Sequence, residues 1–397
     1  MGYRKIVHLD LDAFFCSVEE LLHPELKGKA FAVGGSPEGR GVVSSCSYAA
    51  RQFGVRSAMP MGRALRLCPE LQVVPSHFGA YHEYSQRVMK VLRDQTPLVE
   101  QLSIDEAFLD LSDLPQAPID LAKTIQEKIN REILLPCSLG VANNKLVAKI
   151  ANNIGKDRHR ASTPPNVITV VSAGGEAAFL APLPVKEMWG IGPKTAERLT
   201  GAGIHTLGDV CQASSEVLTK MLGKFGAELR LHALGIDDRP VEMEHETKSV
   251  SQEITFEHDV RDRQRLIDTL RDLSEQVGYH LRREGFCAQT VRIKLRWSDF
   301  STITRQTTMS LAVDQDGEIF AAACALFDGA WQPGEPVRLI GVGTSKLTSG
   351  AQQLALWDTR SEKERRLLTA MDELRERYGR PVVQRAGALH RKERRKF

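Results

Sequence analysis

Carboxylates at the ends of apolar strands are the residues of this sequence best suited to chemistry. HLDLDAFF holds Asp10 and Asp12, and LSIDEAFLDL holds Asp105, Glu106 and Asp110. Unpaired charge is costly to bury in such places, so these groups call for a partner. A hard divalent cation is the natural one, since Mg2+ takes a few carboxylate oxygens together with waters and phosphates. Two such ions about 4 Å apart stabilise both the attacking and the leaving oxygen of an in-line phosphoryl transfer. That arrangement needs one bridging carboxylate and one or two more nearby. Asp10, Asp105 and Glu106 are the expected set, while Asp12 and Asp110 read equally well as ordinary strand-end or turn residues.

The elements that must position these acids follow from hydrophobic period. Residues 4–12 alternate as a strand, with Ile6, His8, Asp10 and Asp12 on one face and Val7, Leu9 and Leu11 on the other. Residues 28–76 are cut by Gly and Pro into a small loop-rich unit. A helix is expected over 80–95, two short strands meeting at a polar turn over 99–112, a helix over 118–132, a strand over 137–142 and a helix from Asn144 to Asn153. ASTPPN at 161–166 breaks the pattern as a hinge. Residues 180–236 look all-helical, 236–247 reads as a polar linker, and strands and helices resume from Lys248 to about Lys346. The fold class is therefore multidomain α/β.

At 397 residues the chain is too long for one ordinary core. Its 42% hydrophobic and 26% charged residues are those of a water-soluble globular protein. No apolar run of about 18 residues occurs, so no membrane span is expected. The N-terminus enters a strand directly and lacks a signal-peptide core, which places the protein in the cytoplasm. Seven cysteines, at 16, 46, 68, 137, 211, 287 and 324, are scattered singly without a C-x-x-C pair. They read as reduced buried thiols rather than a zinc site or disulfide framework. The net charge of +3 decides nothing about nucleic acid, although His390–Phe397 forms a short basic tail.

The two acidic segments resemble the palm motifs of Y-family, lesion-bypassing DNA polymerases of the DinB type. The similarity continues through Val43–Arg51, FGVRSAMP and Asn152–Lys156 to about Lys346. It implies a right-hand-like polymerase with palm (1–12 and 77–165), small fingers (13–76), a helical thumb (166–236), a linker (237–247), a little finger (248–346) and a clamp-binding peptide with a C-terminal helix and tail (347–397). It implies two Mg2+ held by Asp10, Asp105, Glu106 and the backbone carbonyl of Leu11, with Ser103 packed beside them. The implied reaction is template-directed, low-fidelity addition of deoxynucleotides to a primer 3′ end.

The same resemblance places Phe14, Phe15, Ser45, Tyr48, Arg51 and Lys156 around the incoming deoxynucleoside triphosphate. Arg forks onto phosphate oxygens and Lys acts as a point charge, so the cations suit the task. Phe15 stands where the family stacks an aromatic steric gate under the sugar, excluding a 2′-hydroxyl. Phe14 reads also as a core residue. Ala13 and Ser47 replace residues commoner in the family and should affect lesion preference rather than the reaction class.

Gly190-Ile-Gly192, followed by Pro193 and Lys194, reads as a helix-hairpin-helix turn that lets the backbone approach a DNA phosphate. In the strand 291–297, Arg292, Lys294 and Arg296 share one face, which alone reads as a solvated strand face; the resemblance implies that it contacts the primer–template backbone. Gln353, Leu354, Leu356 and Trp357 lie in QLALW, which resembles the peptide that binds the bacterial sliding clamp. Leu367, Leu368, Met371, Leu374 and Tyr378 form a helical stripe expected to pack within the chain. A monomer is expected. The alternatives are a catalytically inactive, clamp-bound accessory protein, another palm-type nucleotidyltransferase, and a non-enzymatic DNA-binding protein.

Overall fold

The computed structural model describes residues 3–159, 163–244, 246–349, 359–379 and 382–383, and the chain divides into two compact units, Met1–His245 and Glu246–Phe397. The first begins with β1 (Ile6–Leu11), α1 (Phe14–Leu22), β2 (Phe31–Gly34), β3 (Val43–Cys46), α2 (Tyr48–Gln52), α3 (Met61–Leu67), β4 (Gln72–Val74) and α4 (Phe78–Arg93). It continues with β5 (Val99–Gln101), β6 (Glu106–Asp110), α5 (Pro118–Glu132), β7 (Cys137–Ala142), α6 (Lys145–Arg158) and β8 (Ile168–Val170). The helices α7 (Glu176–Leu180), α8 (Pro193–Gly201), α9 (Leu207–Gln212), α10 (Ser215–Leu222) and α11 (Lys224–Ala233) complete it.

β1 is the centre of a five-stranded sheet ordered β5-β6-β1-β7-β8, antiparallel to both neighbours. Its strict alternation serves two cores. Val7, Leu9 and Leu11 pack with Tyr81, Val88 and Leu92 of α4 and Ile125 and Ile129 of α5. Ile6 packs on the other face with Phe108, Leu146 and Ile150. Each such side chain contributes about 1.5–3 kcal/mol on full burial, so the register of β1 is strongly held. β8, which the sequence pattern did not suggest, lies past residue 165 and extends this sheet, pairing in parallel with β7.

α6 is longer than the pattern predicts, passing Asn153 and ending at Arg158. Gly155 does not break it, because a Cβ there would meet Thr169 Oγ1 at 2.0 Å; the missing side chain lets helix and strand touch. Gly140 of β7 does the same from the sheet side, where a Cβ would stand 1.9 Å from the Ala148 carbonyl oxygen. α6 therefore lies directly on β7 and faces β1 with Lys149, Asn152 and Lys156, spaced for one helical face.

The smaller sheet β3-β2-β4 has its own core of Val43, Ala50, Val55, Met61 and Ala64. The segment after α11, read as a linker, is irregular but held to the first unit: Asp237 Oδ2 accepts from Leu146 N at 3.1 Å, and Glu100 Oε2 accepts from Glu242 N at 2.9 Å.

The second unit comprises β9 (Ser249–Val260), α12 (Arg263–Arg283), β10 (Phe286–Trp297), β11 (Thr302–Val313), α13 (Asp316–Asp328), β12 (Val337–Ser349) and α14 (Thr359–Tyr378). Its antiparallel sheet is ordered β11-β10-β12-β9, with α12 and α13 packed on Val291, Ile293, Leu295, Ile340 and Val342. α14 is held to α12 by Arg282 Nε on Asp372 Oδ2 at 2.7 Å and by Tyr279 on Glu376. Only part of its expected stripe is covered: Leu368 and Met371 are buried, whereas Leu367, Leu374 and Tyr378 are exposed.

Candidate active site

The β1–β6 register sets Asp10 directly opposite Glu106, so both side chains leave the same face of the sheet. Asp105 joins them because its carbonyl accepts from Leu11 N at 3.0 Å, fixing the turn before β6 against the end of β1. Ser103, expected beside the acids, donates through Oγ to Asp105 Oδ1 at 2.5 Å. Burial pushes the Asp105 carboxyl above its ordinary value; the Ser103 bond opposes this, and the Asp10 and Glu106 charges reinforce it. Three carboxylates are thus crowded at one half-open strand end.

Three residues given no role from the sequence, His8, Asn152 and Lys149, complete the acidic site. His8, fully buried on the same face of β1, donates from Nε2 to Glu106 Oε1 at 2.5 Å. Asn152 Nδ2 donates to His8 Nδ1 at 3.0 Å, which fixes the neutral tautomer with its proton on Nε2. Burial lowers the His8 pKa in spite of Glu106. Lys149 also donates to Glu106 Oε1. Burial alone would raise the Glu106 carboxyl, but the His8 and Lys149 bonds hold it down at about 2. The spacing of Lys145, Lys149, Asn152 and Lys156 along one helical face was the available signal for this row. Lys145 belongs to it too, pairing with buried Glu100 at 2.7 Å.

Lys156 closes the site. Its Nζ lies 2.5 Å from Asp10 Oδ1 and 3.1 Å from Asp12 Oδ1. Burial works against its charge, yet Asp10 and Asp12 outweigh it and raise its pKa above the ordinary lysine value. Asp12 is fully buried and accepts from Ser138 Oγ at 2.9 and 3.0 Å and from Asn166 N at 2.9 Å. It joins β1 to β7 and to the segment before β8. Asp110 bonds Ser112 and lies 3.5 Å from Arg4, at the far end of β6.

Of the expected nucleotide residues, Tyr48 lies close enough to Asp12, Arg51 and Lys156 to feel their charges. Arg51 lies with its guanidinium carbon 4.4 Å over the Tyr48 ring, and the Tyr48 hydroxyl is raised to about 12 by burial and then by Asp12, against Arg51 and Lys156. Ser45 is nearly covered and accepts from Cys16 Sγ at 3.5 Å. Phe15 is partly exposed and stacks on Tyr81, centroids 4.3 Å apart and planes at 11°. Phe14 is 3% exposed inside the core, as its core reading has it, which leaves only its backbone for a nucleotide. Ser47 also turns inward, capping α2 at Ala50 N and donating to Lys29 O. Ala13 adopts a left-handed conformation at the start of α1, with φ 45°.

The hairpin glycines sit as the motif suggests, though the element before them is a short 3-10 turn at Val185–Glu187 rather than a full helix. Gly190 takes φ +96°, Gly192 caps α8, and Lys194 is exposed in its first turn. In the second unit, Arg292, Lys294 and Arg296 alternate with buried Val291, Ile293 and Leu295 along β10. Lys294 is paired with Glu253 of β9 at 2.8 Å. Gln353, Leu354, Leu356, Trp357 and the basic tail lie outside the described residues. The cysteines are free, five of them buried and Cys211 and Cys324 partly so.

Crowded strand-end carboxylates beside converging Tyr, Arg and Lys side chains, on a chain that also carries a helical hairpin, define a nucleotidyl-transferring palm. Comparison with known proteins agrees. Residues 9–153 match the impB/mucB/samB family, residues 247–356 its C-terminal domain and residues 174–204 the IMS family HHH motif. The chain is 40% identical over 388 residues to DNA polymerase IV of Dehalococcoides mccartyi (strain CBDB1), covering 97% of each chain. It is 38% identical over 399 residues to DNA polymerase IV 1 of Bacillus subtilis (strain 168), covering 98% of this chain and 94% of that one. A chimeric Y-family DNA polymerase built from Dbh and Dpo4 superposes with a TM-score of 0.77 at 26% identity, over 86% of this chain and 99% of that one. DinB from Sulfolobus solfataricus gives 0.58, also at 26% identity, over 86% and 98%.

The chain belongs to the Y family of DNA polymerases, the impB/mucB/samB family. It is a DNA-directed DNA polymerase of translesion synthesis, an enzyme class that uses divalent metal ions. DNA and nucleotides are its substrates, and no helix among the described residues is long and apolar enough to cross a membrane.

Proposed function

We propose that Asp10, Asp105, Glu106 and the backbone carbonyl of Leu11 hold two Mg2+ ions, and that this site adds a deoxynucleotide to a primer 3′ end. The observation that carries the reading is the cross-strand pair Asp10–Glu106 with Asp105 alongside. Three carboxylates gathered at one strand end, where burial first and then the Asp10 and Glu106 charges push the Asp105 carboxyl up, fit a divalent cation. When bound, the ions lower the charge at the attacking and leaving oxygens. The protein's own part is positional. Lys149 and His8 hold Glu106 ionised, while Lys156, Arg51 and Tyr48 take the triphosphate oxygens.

Phe15 is the steric gate: its ring, braced flat on Tyr81, leaves no hydrogen-bond partner for a ribose 2′-hydroxyl. Ser45 supports the pocket from below through Cys16. The hairpin at Gly190 and Gly192, with Lys194, contacts the DNA backbone, and Arg292, Lys294 and Arg296 contact it from the second unit. The peptide with Gln353, Leu354, Leu356 and Trp357 binds the sliding clamp. The protein works as a cytoplasmic monomer.

The test is primer extension on a defined template with Mg2+, comparing the native protein with Asp105→Ala/Glu106→Ala. Template-directed extension that disappears in the double variant supports the site. Undiminished extension by the double variant refutes the ligand assignment.

A further inference from the structure

Two helix ends meet behind the Phe15–Tyr81 stack. α1 closes on His23, its C-cap residue, and α4 opens on His77, its N-cap residue. Between them stands Glu19, fully buried. His77 Nδ1 is 2.8 Å from Glu19 Oε1 and 3.1 Å from Oε2, and the Tyr81 hydroxyl donates to Oε1. The His23 and His77 rings are 6.2 Å apart by centroid. One donor atom each from Glu19, His23 and His77 lies within 4.8 Å of the others, and Glu25 Oε1 is 3.5 Å from His23 Nδ1.

A carboxylate buried this deeply needs a compensating cation. Among the described residues the ion-pair partner of Glu19 is His77, which is charged only when protonated. Two imidazoles and a carboxylate are a donor set that Zn2+ accepts, with a fourth position left to water or to Glu25. Mg2+, which prefers oxygen ligands, is poorly matched to it. Both imidazoles are about half-exposed, at 47% and 45% of their side-chain area, so an ion has a way in and the rings have room to turn toward it.

We propose that Glu19, His23 and His77 form a binding site for a transition-metal dication of the Zn2+ type, separate from the catalytic carboxylates. The ion replaces the direct His77–Glu19 contact with a His–metal–Glu bridge and fastens the end of α1 to the start of α4. Through Glu19 it also fixes the Tyr81 hydroxyl and hence the ring on which Phe15 rests. The site depends on these three residues alone and stands whether or not Phe15 is the gate.

The experiment uses the full chain, stripped with a chelator and held in excess Mg2+ with a non-chelating reductant. Zn2+ is titrated against a chromophoric indicator for the native protein and for His23→Ala/His77→Ala. The native protein should take up one more Zn2+ than the variant, with affinity at that site falling about 100-fold or more on loss of the two rings. Zn2+ should raise the native Tm and leave that of the variant unchanged. His23→Asn, altered only at a half-exposed ring, should bind with intermediate affinity, which guards against misfolding of the double variant. Co2+ in place of Zn2+ should give visible ligand-field bands without the near-ultraviolet thiolate band that cysteine capture produces. Equal uptake and affinity in the native protein and both variants, or a thiolate band, overturns the proposal.

Discussion

Lys156 Nζ stands 2.5 Å from Asp10 Oδ1, so a cation from the last turns of α6 sits against a carboxylate of the central strand. The same ammonium reaches Asp12 at 3.1 Å. In the proposed reaction it leaves Asp10 for the triphosphate. Lys156→Met should lower kcat/KM for deoxynucleotides by about 100-fold, mostly through KM, and leave primer–template affinity unchanged. Single-nucleotide incorporation over a range of nucleotide concentrations checks this. A change in kcat/KM below about threefold would remove Lys156 from the pocket.

Asp10 and Asp12 lie two residues apart but carry different loads. Asp12 satisfies Ser138 Oγ, Asn166 N and part of Lys156 from a fully buried position. Asp12→Ala strands those donors and should cost about 3 kcal/mol of stability. Asp10→Ala removes a charge from a half-open, crowded carboxylate set and should abolish incorporation with little loss of Tm. Urea unfolding and primer extension on both variants separate the roles; equal destabilisation would refute the division.

The Phe15 ring is a floor stacked at 4.3 Å on Tyr81. Phe15→Ala should raise the ratio of ribonucleotide to deoxynucleotide insertion by about tenfold or more, with a stability loss of about 1 kcal/mol from the lost stack. Insertion kinetics with matched nucleotide pairs measure the ratio. An unchanged ratio would sink the gate assignment.

His232 on α11 gives a pH prediction. Burial, and then the nearby Arg239, lower its pKa from the ordinary 6.5. Below about pH 6.5 the unfolded chain binds a proton that the folded chain resists, so this residue's contribution to stability is present above 6.5 and fades as pH falls beneath it. His232→Gln has no such proton. The native urea midpoint should therefore drop more between about pH 7.5 and about pH 5.5 than that of the variant. Parallel curves would show that His232 titrates alike in both states.

Much of the first unit was legible because alternation in β1 and the apolar spacing of α4 and α5 each correspond to a buried face. The two acidic motifs carried the family and the metal-binding candidates with them. Three things were not legible. β8 is a three-residue strand whose place depends on Gly155 and Thr169 in contact, which no local period reveals. Ser47 was singled out by its place in a motif, with no local sign that it caps α2 and donates to Lys29 O. His8 looked like one more residue on an alternating strand until Asn152, 144 residues further on, fixed its tautomer.

The sequence by itself therefore determined the elements, the acids and the family, since period and residue type act over a few neighbours along the chain. Only the tertiary structure decided which charges meet. The β1–β6 register set Asp10 against Glu106, and the close approach of α6 at Gly140 brought Lys149 and Lys156 onto them. The meeting of two helix ends put His23 and His77 beside Glu19. These pairings follow from side chains leaving a shared face at a distance set by backbone packing, a relation between residues far apart in sequence.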